Sequence, residues 1–265
     1  MNYRSPTAVV AAATLLLLTA CGDSAPNKAD ATTQATAGLP RGNEPVTLDP
    51  AEFSVDITNE YWPMSPGRRW TYTEREPDGT EATAVIIVTD QTKVLANGIT
   101  ARVVRDTVTQ DGEVLEDTFD FYAQDKAGNL WYLGEDTAEF ENGQITSRHG
   151  SFEAGVDGAL PGIAVPAEPA VGQAYRQEYL QGEAEDNGEV LSTNEMAEVP
   201  AGKYRQALLT KDTTPLEPDS LEYKLYAKGV GPVLVLRASG GTTRTELIQI
   251  DTVPAGAGTG PLGTP

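Results

Sequence analysis

The sequence holds one cysteine, one histidine and three methionines in 265 residues. No disulfide can form within the chain, and no thiol nucleophile or cysteine-based metal site is available beyond Cys21. His149, the sole histidine, has Ser151 two residues on. In a strand that spacing puts both on one face, about 7 Å apart. That is too far for the hydrogen bond a nucleophile–base pair needs. A zinc site would have to be built almost entirely from carboxylates, which zinc sites rarely are. No phosphate-binding glycine loop, GxGxxG, EF-hand or HExxH pattern occurs. Basic residues are scarce, with 19 Lys and Arg against 39 Asp and Glu. The resulting charge of −20 repels nucleic acid and anionic lipid alike, so no nucleic-acid partner is expected. No amphipathic helix of ten residues or more stands out.

The longest apolar run, Ala8 to Leu18, is interrupted only by Thr14 and follows Arg4. It is too short to span a bilayer, which takes about 20 helical residues. The layout is that of a secretory signal: basic start, apolar centre, small residues at the end. Leu18-Thr19-Ala20-Cys21 resembles the lipobox of bacterial lipoproteins. The resemblance implies a signal peptide over 1–20, a diacylglycerol on the Cys21 thiol and acylation of the new amine. Two or more such chains anchor stably where one would be marginal. The expected location is extracytoplasmic, with the membrane as a partner through lipidated Cys21. In a two-membrane cell that means the outer membrane, because Gly22 replaces the aspartate of an inner-membrane retention signal. In a single-membrane cell it means the outward face.

Residues 21–47 read as the lipidated cysteine and a flexible tether, rich in Ala, Thr, Gly, Pro and Asn. Such a coil spans roughly 25–30 Å. Residues 252–265 have similar composition and are expected to be a disordered tail. Residues 48–251 show no composition break and are long enough for one domain with its own core.

That domain reads as β. Trp70 and Tyr72 alternate with Arg69, Thr71 and Thr73; Leu221, Tyr223 and Leu225 alternate with Glu222, Lys224 and Tyr226. Val85–Val88 and Val233–Leu236 are continuous apolar runs, as in strands covered on both faces. Asn97-Gly98, Asp111-Gly112 and Asn142-Gly143 are hairpin turns between such segments. For the Asp111-Gly112 hairpin, a two-residue turn would set Asp106 against Asp117. Shifting the pairing by one sets Arg105 against Asp117, Arg102 against Asp120 and Val103 against Phe119, which charge complementarity favours. Those charged residues then read as cross-strand structure rather than as a site. Between Gly150 and Val171 the pattern fails, and an irregular loop of about 20 residues is expected, folded back over one end of the sheet through Leu160, Ile163 and Val165. The fold class is all-β: one large, curved antiparallel sheet, closing towards a half-barrel or a sandwich, with few or no helices apart from the signal peptide.

Several segments then become familiar in combination: Pro66-Gly-Arg-Arg-Trp-Thr-Tyr72, Tyr122-Ala-Gln-Asp-Lys-Ala-Gly-Asn-Leu-Trp-Tyr-Leu-Gly-Glu-Asp136, Glu153-Ala-Gly-Val-Asp-Gly158 and Tyr226-Ala-Lys-Gly-Val-Gly231. Together they resemble a widespread family of uncharacterised bacterial secreted proteins and envelope lipoproteins. The resemblance brings no established activity, so it implies no catalytic residue.

The leading expectation is a non-catalytic domain that binds a ligand, envelope polymer or partner protein. Its site would be the apolar concave face of the sheet, with Trp131, Tyr132, Leu160 and Ile163 as candidate ligand-binding residues. The alternative is a carboxylate-dependent hydrolase acting on a polymer, with two acids converging in an aromatic-lined groove near Trp131 or Tyr132. Glu135-Asp136, Glu139 and Glu141 lie near one hairpin, and Glu183, Glu185 and Asp186 form the densest acidic run. A third reading is a calcium-stabilised scaffold using Glu183, Glu185 and Asp186. No other cofactor is expected.

Overall fold

The computed structural model describes residues 38–265. The signal peptide, Cys21 and the tether up to residue 37 lie outside the described residues.

The strands expected from alternation form where the turn signals release them. After a 3-10 turn at Pro50–Glu52 come β1 (Phe53–Ser54), β2 (Arg68–Arg75), β3 (Glu81–Val94), β4 (Thr100–Gln110), β5 (Glu113–Asp125) and β6 (Leu130–Glu141). Next are β7 (Gln144–Ser147), β8 (Phe152–Glu153), β9 (Leu160–Val165), β10 (Ala174–Arg176) and β11 (Glu178–Tyr179). The chain finishes with β12 (Asn187–Val199), β13 (Gly202–Thr213), β14 (Leu221–Ala227), β15 (Gly231–Ser239) and β16 (Arg244–Thr252). All pairings are antiparallel.

The sheet runs β10-β12-β13-β14-β15-β16-β2-β3-β4-β5-β6-β9-β11. Its two ends, β10 and β11, are consecutive pieces of one bent strand that turns at Gln177. That strand pairs through Ala174–Arg176 with β12 and through Glu178–Tyr179 with β9. The sheet therefore curls round until both edges meet on one strand, and the all-β fold is a nearly closed barrel. Closure removes the exposed edges that a sheet of this size would otherwise offer for aggregation.

The seam depends on one glycine. A Cβ on Gly162 in β9 would sit 2.2 Å from the Gln177 carbonyl oxygen. Only a residue without a side chain lets the two backbones approach this closely.

The irregular loop expected over 150–171 is thus corrected. Its second half is β9, a wall strand, paired with β6 on one side and β11 on the other. Pro161-Gly162 breaks the alternation that would have marked a strand, and the same two residues make the seam.

The register of the Asp111-Gly112 hairpin is also corrected. The turn has two residues, Gln110 opposite Glu113, with positive φ at Asp111 and Gly112. A bulge between Val108 and Thr109 then shifts the pairing the other way from the expectation, so that Arg105 faces Phe119 and Val104 faces Asp120. Arg105 nevertheless reaches Asp117 diagonally, its Nε donating to Oδ1 at 2.8 Å, and Thr107 Oγ1 donates to the same oxygen at 2.8 Å. This ion pair lies on the outer face, yet both side chains are buried.

What covers them is the segment expected to be a disordered tail. The Gly260 and Pro261 carbonyls accept hydrogen bonds from the Arg105 guanidinium, and Gly263 N–H donates to Asp117 Oδ2 at 2.7 Å. Gly258 lies beside Ile87 in the same way. Low complexity concealed a strap held by backbone groups. Residues 38–47 likewise belong to the domain rather than to the tether. Leu39 and Val46 pack on the core, and the fully buried Arg176 guanidinium donates to the carbonyls of Pro161, Gly42 and Glu44.

Candidate functional site

Inside and outside follow from one cross-strand row. Trp70, Ile86, Asp106 and Thr118 are register partners on β2, β3, β4 and β5, so their side chains share a face. Ile86 and Asp106 border a cavity of about 410 Å³ within the barrel, which makes this the inner face. The volume lies within the range of small-molecule sites, about 300–1,000 Å³.

One end of the interior is filled by Tyr61, Met64, Trp70 and Tyr72, all buried. Above them the cavity has an aromatic wall. The Trp62 ring is 5.5 Å from Tyr122 and 6.0 Å from Tyr226, and Tyr122 stacks on Tyr132 at 5.0 Å. Carboxyl groups from Asp106, Glu135, Glu178 and Asp186 border the same space. The concave face is therefore mixed: apolar and aromatic side chains make up much of the lining, and acidic groups that the sequence reading did not place there share it. On β14 the inward set is Lys224 and Tyr226, the polar members of the alternation.

Asp120 and Glu135 are register partners on β5 and β6. Tyr132 Oη lies 2.7 Å from Asp120 Oδ1 and 2.6 Å from Glu135 Oε2. Burial pushes the Asp120 carboxyl up to about 8, and the nearby Asp106 charge adds to the shift. Glu135 is likewise raised to about 8 by burial and by Asp120, and Asp106 to about 7 by burial and by Glu116 and Glu74. Glu178 is also held well above the usual carboxylate range by burial, then by Asp186 and Glu135. The cause common to all is removal from water beside like charges.

Among the described residues Lys224 is the one cation bordering this cavity, and its Nζ is held by Asp212 at 2.8 Å. Two polar atoms at the cavity are shut off from solvent without a hydrogen-bond partner among the described residues: Asp106 Oδ1 and Trp62 Nε1. A second basin of about 320 Å³ adjoins the first through Glu178, Asp186 and Lys224, and continues past His149, Glu183 and Arg237.

The sequence candidates divide. Tyr132 borders the cavity. Trp131, its neighbour, points the other way, donating its indole N–H to Asp125 Oδ2 at 2.8 Å and meeting Phe53 edge-on. Ile163 is fully buried in the main core and Leu160 sits at the β9–β11 seam. Neither is among the residues bordering the cavity, whereas Ala164 is. Of the calcium candidates, Asp186 borders both cavities and Glu183 the outer basin, with His149 Nε2 at 3.6 Å. Glu185 instead accepts from Gly182 N–H at 2.8 Å within its own turn. The described residues hold no group of three His, Cys, Asp or Glu side chains placed to ligate a metal. Ser151 bonds to the Thr137 backbone, not to His149.

Sequence reasoning missed Asp106, Trp62 and Glu178, and assigned Asp120 to cross-strand structure. The inward parity of the Trp70–Ile86–Asp106 row could have flagged Asp106, since it sets an acid in line with two large apolar residues.

No protein-family model matches this sequence, and no curated protein matches it. Two solved structures match this chain in part. One is an inferred exported protein of Bacteroides fragilis with a YmcC-like fold. It has a TM-score of 0.46 and 16% identity, covering 74% of this chain and 100% of that one. The other is an inferred lipoprotein of Parabacteroides distasonis, with a TM-score of 0.38 and 11% identity over 73% of this chain and 99% of that one.

Proposed function

We propose that this protein is a membrane-tethered, extracytoplasmic binding protein that holds a small ligand inside its barrel. Cys21 supplies the anchor and the residues up to 37 the reach. The observation that carries the reading is the interior cavity of about 410 Å³, bordered by polar atoms without a hydrogen-bond partner among the described residues. A domain built only for stability would gain by filling this space, because voids cost packing energy and unpartnered buried polar atoms cost about 1–3 kcal/mol each.

The reading is tested by blocking the cavity. Ala164 borders it, and Ala164→Phe would fill part of it. A thermal-shift panel of cationic, neutral and anionic small molecules should include members that raise the melting temperature of the mature protein but not of Ala164→Phe. If no member does so, or if both proteins respond equally, the interior is not a binding site.

A second reading is favoured by one observation: Asp120 and Glu135 converge on Tyr132, as a carboxylate-dependent hydrolase would require two acids to do. Here the tyrosine hydroxyl occupies the space between the two carboxyl groups, where a scissile bond would have to lie. Turnover of a polymer substrate that disappears in Asp120→Asn and Glu135→Gln would establish this reading; binding without turnover would dismiss it.

A further inference from the structure

The cavity's chemistry goes beyond the presence of a ligand and specifies its charge. This step rests on the binding reading above. We propose that the barrel interior is a site for an organic cation, an ammonium group carried on a small apolar or aromatic body.

Three independent features converge on that class. The first is the charge balance. Among the described residues Asp106, Glu135, Glu178 and Asp186 border the cavity, with Asp120 held by the bordering Tyr132, against Lys224 as the one cation. Lys224 is already committed to Asp212 at 2.8 Å, so it offers little to an anion. An anionic ligand would add repulsion to a site where the carboxyl groups already raise one another.

The second is the aromatic wall. Trp62, Tyr122 and Tyr226 all border the cavity, the two tyrosine rings tilted against Trp62 with centroids 5.5 and 6.0 Å away. Ring faces carry negative quadrupole potential and attract a cation within about 6 Å, most strongly where water is excluded. Carboxylates and π faces are the two groups that stabilise an ammonium and do nothing comparable for a phosphate or carboxylate.

The third is the unfilled valence. Asp106 Oδ1 is sealed from solvent and accepts nothing from the described residues. A buried carboxylate oxygen without a donor is costly. An N–H⁺ donor satisfies it, whereas another acceptor cannot. A bare metal ion is a poorer fit, because no three ligating side chains come together here among the described residues. The apolar members of the lining, Ile86, Pro232 and Val235, supply the surface for the body of the ligand.

The test is an isothermal titration of the mature protein at pH 8.5 with three probes that share one ring and differ in charge: phenethylammonium, 2-phenylethanol and phenylacetate. Phenethylammonium is expected to bind at least about tenfold more tightly than the alcohol, and phenylacetate not measurably. Asp106→Asn should reduce phenethylammonium affinity about tenfold or more while leaving the alcohol unchanged. If Asp106→Asn does not fold, Glu178→Gln makes the same comparison. Equal affinity for the alcohol, or preference for phenylacetate, would overturn the cation proposal while leaving an interior binding site standing. Binding of none of the three would overturn the cation proposal, and the wider panel against Ala164→Phe then decides separately whether the interior binds anything.

Discussion

Asp120 and Glu135 face one another across β5 and β6 with the Tyr132 hydroxyl within hydrogen-bond distance of both. A phenol has one proton to give. It can donate to one carboxylate, and the other contact is a good hydrogen bond only when that carboxyl keeps its own proton and donates back. The pair is thus built to hold a shared proton at neutral pH, in line with the upward shift of both groups to about 8.

This arrangement sets the sign of the pH dependence of stability. Asp106, Asp120 and Glu135 bind protons more tightly folded than unfolded. Their contribution is fully present below about pH 4, the unfolded value, and is lost as pH rises through about 7 to 8. The melting temperature should therefore fall steadily between pH 5 and pH 9. Asp120→Asn should flatten the slope. A flat or rising melting curve over this range would contradict the shared proton.

Barrel closure is tested at the seam. Gly162→Ala would drive a methyl group into the Gln177 carbonyl, a backbone atom that cannot swing aside. A loss of about 1–3 kcal/mol or more is expected in denaturant unfolding, as for other overpacked sites. Gly38→Ala has open space around its Cβ and should change stability by less than about 0.5 kcal/mol. Equal effects would mean the seam is loose.

The buried outer-face ion pair and its cover form a coupled unit. Asp117→Asn leaves the Arg105 charge uncompensated beneath the C-terminal strap, at a cost of about 3–5 kcal/mol. Deleting residues 254–265 lets water reach Arg105, so the same substitution in the truncated chain should cost less by about 1 kcal/mol or more. Additive costs would show that the strap does not shield the pair.

Much of the fold was legible before any coordinates. The turns at Asn97-Gly98, Asp111-Gly112 and Asn142-Gly143 sit where their dipeptides require, and Trp70 and Tyr72 are buried together. Alternation tells which residues share a face but not which face looks inward. For Lys224 and Tyr226 the polar set looks inward, the reverse of a half-buried sheet. Register failed twice, at a turn that has two residues and at the bulge between Val108 and Thr109, and with it went the placement of Asp120. Asp120 and Glu135 are brought together by pairing on neighbouring strands, which no spacing rule encodes. The C-terminal strap is held through backbone groups of Gly260, Pro261 and Gly263, and backbone groups leave no trace in composition.

The most direct measurement is a crystal structure of the mature protein grown with phenethylammonium at pH 8.5. The expected result is ligand density inside the barrel, its nitrogen within hydrogen-bond distance of Asp106 and its ring against Trp62, Tyr122 or Tyr226. A barrel interior filled by its own side chains, or ligand bound only on the outer surface, would contradict the central claim.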